Sequence, residues 1–236
     1  MLPATADARS CRGAALKLPH PARCVIFDLD GVLLDTEHFY TEVTEEICRD
    51  YGKTFDWSIK RNMIGRPSLE SACYLVDALS LPIQPEEYLR RRALRLDELF
   101  PLSKEKPGAE EFTRTLAARG VPIAVATSSE KHLFERKTAR HRDWFSLFHA
   151  VVVGDDPRVK KGKPAPDVFL AAARDLGIAP GDCVVFEDAP AGLTAARAAG
   201  MQVVALPDDA MDRSAYVEAQ LVIGAYADVT PEDLGL

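Results

Sequence analysis

From residue 24 onward, short apolar runs rich in β-branched residues alternate with helix-like stretches, and this alternation leaves few architectures open. The runs are CVIFDLD (24–30), VPIAVATSS (121–129), AVVVGDD (150–156), CVVFEDA (183–189) and MQVVALP (201–207). Between them lie GAEEFTRTLAARG (108–120), PDVFLAAARDLG (166–177) and AGLTAARAAG (191–200), each closing on the Gly that helix C-termini favour. Strands that are apolar throughout must bury both faces. Separated by helices, they predict an α/β domain with a parallel sheet covered on each side.

Residues 38–105 have a different texture. HFYTEVTEEICRDYG, SLESACYLVDALS and PEEYLRRRALRLDELF space their apolar residues three and four apart, with no β-branched run between them. This predicts an all-helical block, too long to be a loop, inserted after the first strand. The expected organisation is a core formed by 23–37 and 106–236 and a helical cap over 38–105, with Pro107 and Gly108 marking the return to the core.

Ligands of open parallel sheets bind beyond the carboxyl ends of the strands. The polar residues gather at those ends: Asp28 and Asp30 after the first strand, Thr127, Ser128 and Ser129 after the second, Asp155 and Asp156 with Lys163 after the third, and Glu187 and Asp188 after the fourth. Asp28 and Asp30 can turn toward one crevice once Gly31 relaxes the backbone. With Glu187 and Asp188 beside them, the site needs a hard cation. Magnesium fits, because it takes oxygen ligands and shares its shell with water and phosphate. No His or Cys lies near these strand ends, which argues against zinc. Asp28 can attack phosphorus to give an aspartyl-phosphate. Asp30 can protonate the leaving oxygen and then activate the hydrolytic water. Thr127 and Ser128 offer donors to the phosphoryl oxygens, and Lys163 offers a positive charge.

DLDGVLLDT, AVATSS, KGKPAPDVF and VFEDAPAG, in this order, resemble the four motifs of haloacid dehalogenase-type phosphatases. The block after the first motif resembles the helical C1-type cap of that superfamily. HFYTEVTEEICRDYGKTFDW, KTARHRDWFSLFH and VVGDDPRVKKGKPAPD are similar to the eukaryotic branch holding pseudouridine-5′-phosphatase and the plant glycerol-3-phosphatase and FMN-phosphatase-like proteins. The likeness runs from residue 23 to the C-terminus. It implies a Rossmann-like core, with Asp28 as nucleophile and magnesium ligand and Asp30 as acid/base whose main-chain carbonyl also meets the metal. It further implies Thr127 and the Ser128 amide on phosphate, Lys163 as neutralising charge, Asp188 as metal ligand, and Glu187 as a ligand or its support. Arg66, in IGRPSLES, lies where a cap helix could meet the substrate.

The resulting expectation is a magnesium-dependent phosphomonoester hydrolase for a small metabolite of the pseudouridine 5′-phosphate, glycerol 3-phosphate or FMN type. A phosphosugar mutase of the β-phosphoglucomutase type would keep the same acids and return phosphate to the sugar. A phospho-receiver-like binding module shares the Asp, Thr/Ser and Lys, but it has no helical insertion after its first strand. A dehalogenase is disfavoured, because carbon–halogen displacement needs no acid at position 30.

Other features carry less. The net charge of −7 argues against a nucleic-acid partner, which calls for a basic face. No apolar run nears the roughly 20 residues that span a bilayer. Five scattered cysteines without a C-x-x-C pair indicate a reduced protein without disulfides. The expectation is a cytoplasmic monomer. Residues 1–22, Arg-bearing and acid-poor, read as a disordered tail or an organelle-targeting segment. Asp35 reads as the N-cap of the first cap helix, and Asp155 and Asp156 as turn or capping residues rather than metal ligands. His132, His141 and Trp144 read as packing or surface residues, and Arg90, Arg91, Arg92 and Arg95 as a solvated stripe.

Overall fold

The computed structural model describes residues 17–63 and 68–236. The chain enters through β1 (Cys24–Phe27) and a two-residue strand β2 (Leu34–Asp35). It then builds α1 (Glu37–Asp50), α2 (Trp57–Lys60), α3 (Ser68–Leu79) and α4 (Pro85–Leu99), and returns through β3 (Lys104–Glu105). The remainder alternates: α5 (Ala109–Ala118), β4 (Ile123–Ala126), α6 (Lys131–Lys137), α7 (Arg142–Phe145), β5 (Ala150–Val152), α8 (Asp167–Leu176), β6 (Cys183–Glu187), α9 (Pro190–Ala198), β7 (Gln202–Ala205) and β8 (Leu221–Val222).

Six strands form one parallel sheet in the order β5-β4-β1-β6-β7-β8. β1 is therefore flanked by β4 and β6, and the chain order reverses beside it, where such sheets open a crevice. Alternation along β1 explains its unbroken apolar run. Val25 and Phe27 enter a cluster with Phe112, Trp144, Phe186 and Tyr226, whereas Cys24 and Ile26 enter the opposite one with Phe169, Val185 and Tyr216. Phe27 and Phe186 meet across the strand pair, ring centroids 5.0 Å apart, and pack with Phe112 and Tyr226. β8, an edge strand of two residues, has no matching sequence signal.

A third cluster lies within the helices between β2 and β3: Phe39, Val43, Ile47, Leu75, Tyr88, Leu96 and Phe100. Tyr88 is fully buried and its hydroxyl lies 2.9 Å from that of Thr44, joining α4 to α1. Where the chain leaves and re-enters the sheet domain, β2 and β3 pair antiparallel, Leu34 opposite Glu105 and Asp35 opposite Lys104.

Several expectations change. Residues 18–22, assigned by sequence to the tail, lie against the core: the Leu18 and Ala22 amides donate to the carbonyls of Asp233 and Leu234, and His20 exchanges hydrogen bonds with Gln202. Residues 233–234 and Gln202 of β7 supply their partners, which local composition does not reveal. Asp35 is not the cap of α1. It belongs to β2, and Thr36 occupies the N-cap position without a side-chain capping bond. The arginine stripe stays at the solvent surface, with Arg90 and Arg91 sharing Glu87, Arg95 bonding Glu46 and Glu98, and Arg92 over the rings of Tyr40 and Tyr88. The described cysteines are unbridged. Among the described residues, no helix is long and apolar enough to cross a membrane.

Candidate active site

Asp28 follows β1 directly and Thr127 follows β4, while Glu187 ends β6 and Asp188 comes next. Because the three strands are parallel neighbours in near-equal register, all four residues arrive at one edge of the sheet. The Asp28 amide donates to the Phe186 carbonyl at 3.0 Å, which continues the ladder and fixes the start of the loop. The Thr127 amide donates to Val152, and the Thr127 hydroxyl accepts from the Ser129 amide at 3.0 Å. Thr127 is buried and Ser128 exposed at the rim.

Lys163 enters from the segment before α8. Its ammonium donates to Asp28 Oδ1 at 2.6 Å and to Glu187 Oε1 at 2.5 Å, and it sits 4.7 Å from the Phe169 ring centroid. The other Glu187 oxygen accepts from the Ala189 amide at 3.0 Å. Gly192 allows this: a Cβ there would stand 1.7 Å from Glu187 Oε1. Gly31 is constrained twice, by a left-handed φ of 73° and by Asp188, whose Oδ2 would lie 2.0 Å from any added Cβ. Only glycine lets the loop after β1 approach the loop after β6.

Asp28, Glu187 and Asp188 each bring a carboxylate oxygen within 4.8 Å of the others. Burial pushes the Asp28 carboxyl up to about 7, and the charges of Glu187 and Asp30 add to this against the downward pull of Lys163. Asp188 is raised by burial and by Glu187 and Asp28. One ammonium thus does not satisfy three acids. An all-oxygen donor set that resists ionisation without further positive charge fits a hard divalent cation.

Asp30 departs from expectation. The sequence leads to a carboxylate open to the crevice for acid/base work, with its main-chain carbonyl toward the cation; in the structure the carboxylate is held by three side chains. The Lys137 ammonium donates to Asp30 Oδ1 at 2.7 Å and to Oδ2 at 2.8 Å, the Thr36 hydroxyl donates to Oδ1 at 2.5 Å, and the Ser129 hydroxyl to Oδ2 at 2.9 Å. Burial alone would raise this carboxyl, but the charge and hydrogen bond of Lys137 and the two hydroxyls outweigh it and lower it. Lys137 escaped the sequence reading. The signal was present: in KHLFERK it stands three and four residues after Phe134 and Leu133, on the inward stripe of α6 where an apolar residue belongs.

The other candidates disperse. Asp155 accepts from the Lys131 amide, and Asp156 caps and pairs with Arg158, as turn-forming aspartates do. Trp144 donates to the Thr113 hydroxyl in the core, and His141 reaches the Ser103 carbonyl. Arg66 lies outside the described residues.

The family model described as haloacid dehalogenase-like hydrolase matches residues 22–200. "(DL)-glycerol-3-phosphatase 1, mitochondrial" of Arabidopsis thaliana is 49% identical over 217 residues, covering 90% of this chain and 73% of that one. "Probable pseudouridine-5'-phosphatase" of Drosophila melanogaster is 45% identical over 214 residues, covering 89% and 93%. Among solved structures, a HAD family hydrolase from Deinococcus radiodurans R1, with bound phosphate and sodium, superposes with a TM-score of 0.75 at 28% identity, over 88% of this chain and 93% of that one.

Proposed function

Because the chain belongs to the haloacid dehalogenase-like hydrolases and is a phosphatase of small phosphorylated metabolites, we propose that it cleaves its ester through a phosphoryl group carried on Asp28. The observation that supports this most is the placement of Asp28. It is buried, bonded to Lys163, and grouped with Glu187 and Asp188 at the carboxyl end of the central strand.

An Asp28 carboxylate oxygen attacks phosphorus, and the bond from phosphorus to the leaving oxygen breaks. Asp30 delivers the proton that the departing alkoxide needs. It then takes a proton from the water that attacks the aspartyl-phosphate, which frees inorganic phosphate and restores the Asp28 carboxylate. Lys163 balances charge on Asp28 and on the transferring group. Thr127 and the Ser128 amide, one strand over, orient the phosphoryl oxygens. Asp28, Asp188 and Glu187, with the Asp30 main-chain carbonyl, would hold magnesium. The bound ion supplies charge that neutralises phosphate and acids together. Asp30 accepts four hydrogen bonds in this structure, so proton delivery requires it to release at least one.

The helical unit between β2 and β3 is the proposed cap that selects the alcohol, with Arg66 as a substrate contact. Glycerol 3-phosphate and pseudouridine 5′-phosphate, the esters in the names of the two relatives, both carry hydroxyl-rich alcohols. We therefore infer a polyhydroxy alkyl phosphate as substrate.

The test is phosphate release from glycerol 3-phosphate, pseudouridine 5′-phosphate, FMN and p-nitrophenyl phosphate, with magnesium and with chelator. The expected result is magnesium-dependent release ranked by kcat/KM, and a phosphoryl adduct on the peptide containing Asp28 in quenched samples. Turnover with the adduct on another residue would refute the mechanism. An isomerised sugar phosphate without free phosphate would replace hydrolysis with mutase activity.

A further inference from the structure

The Lys137 side chain has no solvent exposure, although it carries a charge that is costly to bury. Its three N–H donors are committed. Two go to the Asp30 oxygens and the third to the Ser129 hydroxyl, at 2.9 Å. None is left for a substrate, which separates Lys137 from Lys163. The same ammonium lies 4.4 Å from the Phe100 ring centroid and 3.5 Å from the Tyr40 hydroxyl. Tyr40 belongs to α1, and Phe100 to the 3-10 turn after α4, so both come from the helical unit, whereas Lys137 ends α6 of the sheet domain.

We propose that Lys137 is a positioning residue for phosphoryl transfer: its ammonium fixes the direction of the Asp30 carboxylate and ties that direction to the helical unit through Tyr40 and Phe100. The inference rests on the reading of Asp30 as acid/base. The terminal torsion of an aspartate is broad and roughly two-fold. Thr36 and Ser129 each hold one oxygen, from two separate loops, and the Ser129 hydroxyl is itself held by the Lys137 ammonium. Among the described residues, Lys137 alone bonds both oxygens, from a helix packed against aromatic rings. It therefore sets the plane of the carboxylate as well as its distance. With Lys137 removed, Asp30 keeps its place in the chain but loses its aim. The step that suffers is the one needing a proton delivered along a defined line, departure of a poor leaving group.

The test compares wild type, Lys137→Met and Lys137→Arg on p-nitrophenyl phosphate, whose leaving group needs no proton, and glycerol 3-phosphate, whose leaving group does. kcat/KM reports steps through phosphoryl transfer. Lys137→Met is expected to lose about a hundredfold on glycerol 3-phosphate, within the span of general acid catalysis, and less than about tenfold on the aryl ester. The loss should fall on kcat rather than KM, and Lys137→Arg, which keeps a bidentate donor, should recover part of it. Equal losses on both esters, or none, would overturn the proposal. If Lys137→Met fails to fold, the wild-type protein crystallised with magnesium and tungstate decides. An ammonium still bonded to Asp30 supports the assignment, and one turned to the oxyanion defeats it. Wild type silent on every ester would instead remove the phosphatase reading, and this inference with it.

Discussion

Asp28 and Asp30 stand two residues apart in opposite environments. Asp28, buried and sharing one ammonium with Glu187, is raised to about 7, while Asp30, bonded through both oxygens to an ammonium and to two hydroxyls, is lowered. In the metal-free site this separation runs opposite to the proposed roles, so attack by Asp28 requires a bound cation to ionise it, and proton delivery by Asp30 requires it to give up a donor. With Asp28 as the nucleophile, Asp28→Asn should remove turnover, with a drop in kcat of at least about 1,000-fold, since no other group forms the covalent bond. Steady-state phosphate release measures it, and a variant retaining a tenth of wild-type activity would contradict the assignment. Gly31→Ala makes a separate prediction. The added methyl collides with Asp188 Oδ2 and strains a left-handed φ. Magnesium half-activation should shift to about 10–100-fold higher concentration, as when metal ligands lose their support; an unchanged metal titration would contradict it. Among single residues, legibility followed chemistry. The gathering of Asp28, Lys163, Glu187 and Asp188 was readable because they converge at several strand ends in the order of a known motif set, whereas Asp155 and Asp156, also after a strand, turn the chain. Lys137 was not, because a lysine at the end of a short charged helix is ordinarily solvated and only tertiary packing shows that it is buried.

At the scale of elements, β1, β4 and β6 were legible because burial on both faces forces unbroken apolar runs. Helices α5, α8 and α9 were legible from their spacing and the glycines after them, with Gly177 in the left-handed conformation that ends α8. The two-residue strands β2, β3 and β8 were not, since pairs this short are set by what lies opposite rather than by their own residues. The helical unit has its own cluster, distinct from those of the sheet, and this predicts how damage spreads. Leu75, fully buried in α3, contributes nothing to the sheet clusters. Leu75→Ala should cost about 2–5 kcal/mol. Hydrogen exchange should quicken in α1, α3 and α4 while β1, β4 and β6 keep their protection. Equal loosening of the sheet would mean that the two units unfold as one.

For the molecule as a whole, a net charge of −7 meets a sheet edge whose acids outnumber their lysine, and on the proposed reading metal and proton compete for that edge. The Asp28 carboxyl moves from an ordinary 3.8 to about 7 in the folded protein, and Asp188 moves the same way. Between about pH 4 and 7 the metal-free folded state therefore holds more protons here than the unfolded chain. The contribution of these acids to stability, present at the low end, is lost as pH rises through 7. Metal binding needs both carboxylates ionised, so below about pH 7 each magnesium bound displaces protons. Its dissociation constant should tighten about tenfold per pH unit for each proton displaced, or about 1.4 kcal/mol of added folding stability at fixed magnesium, and the share due to Asp28 should level off above about pH 7. Thermal melts with and without magnesium chloride at pH 5.5, 6.5, 7.5 and 8.5 measure this directly. The gain in melting temperature should grow from the first to the third and less steeply beyond, once Asp28 has ionised. Asp28→Asn, which removes one titrating ligand, should weaken the gain and flatten its dependence on pH. A gain equal at all four values in the wild type would mean that the acids at the end of β1 and β6 are ionised before the ion arrives, and that the cation is not what relieves them.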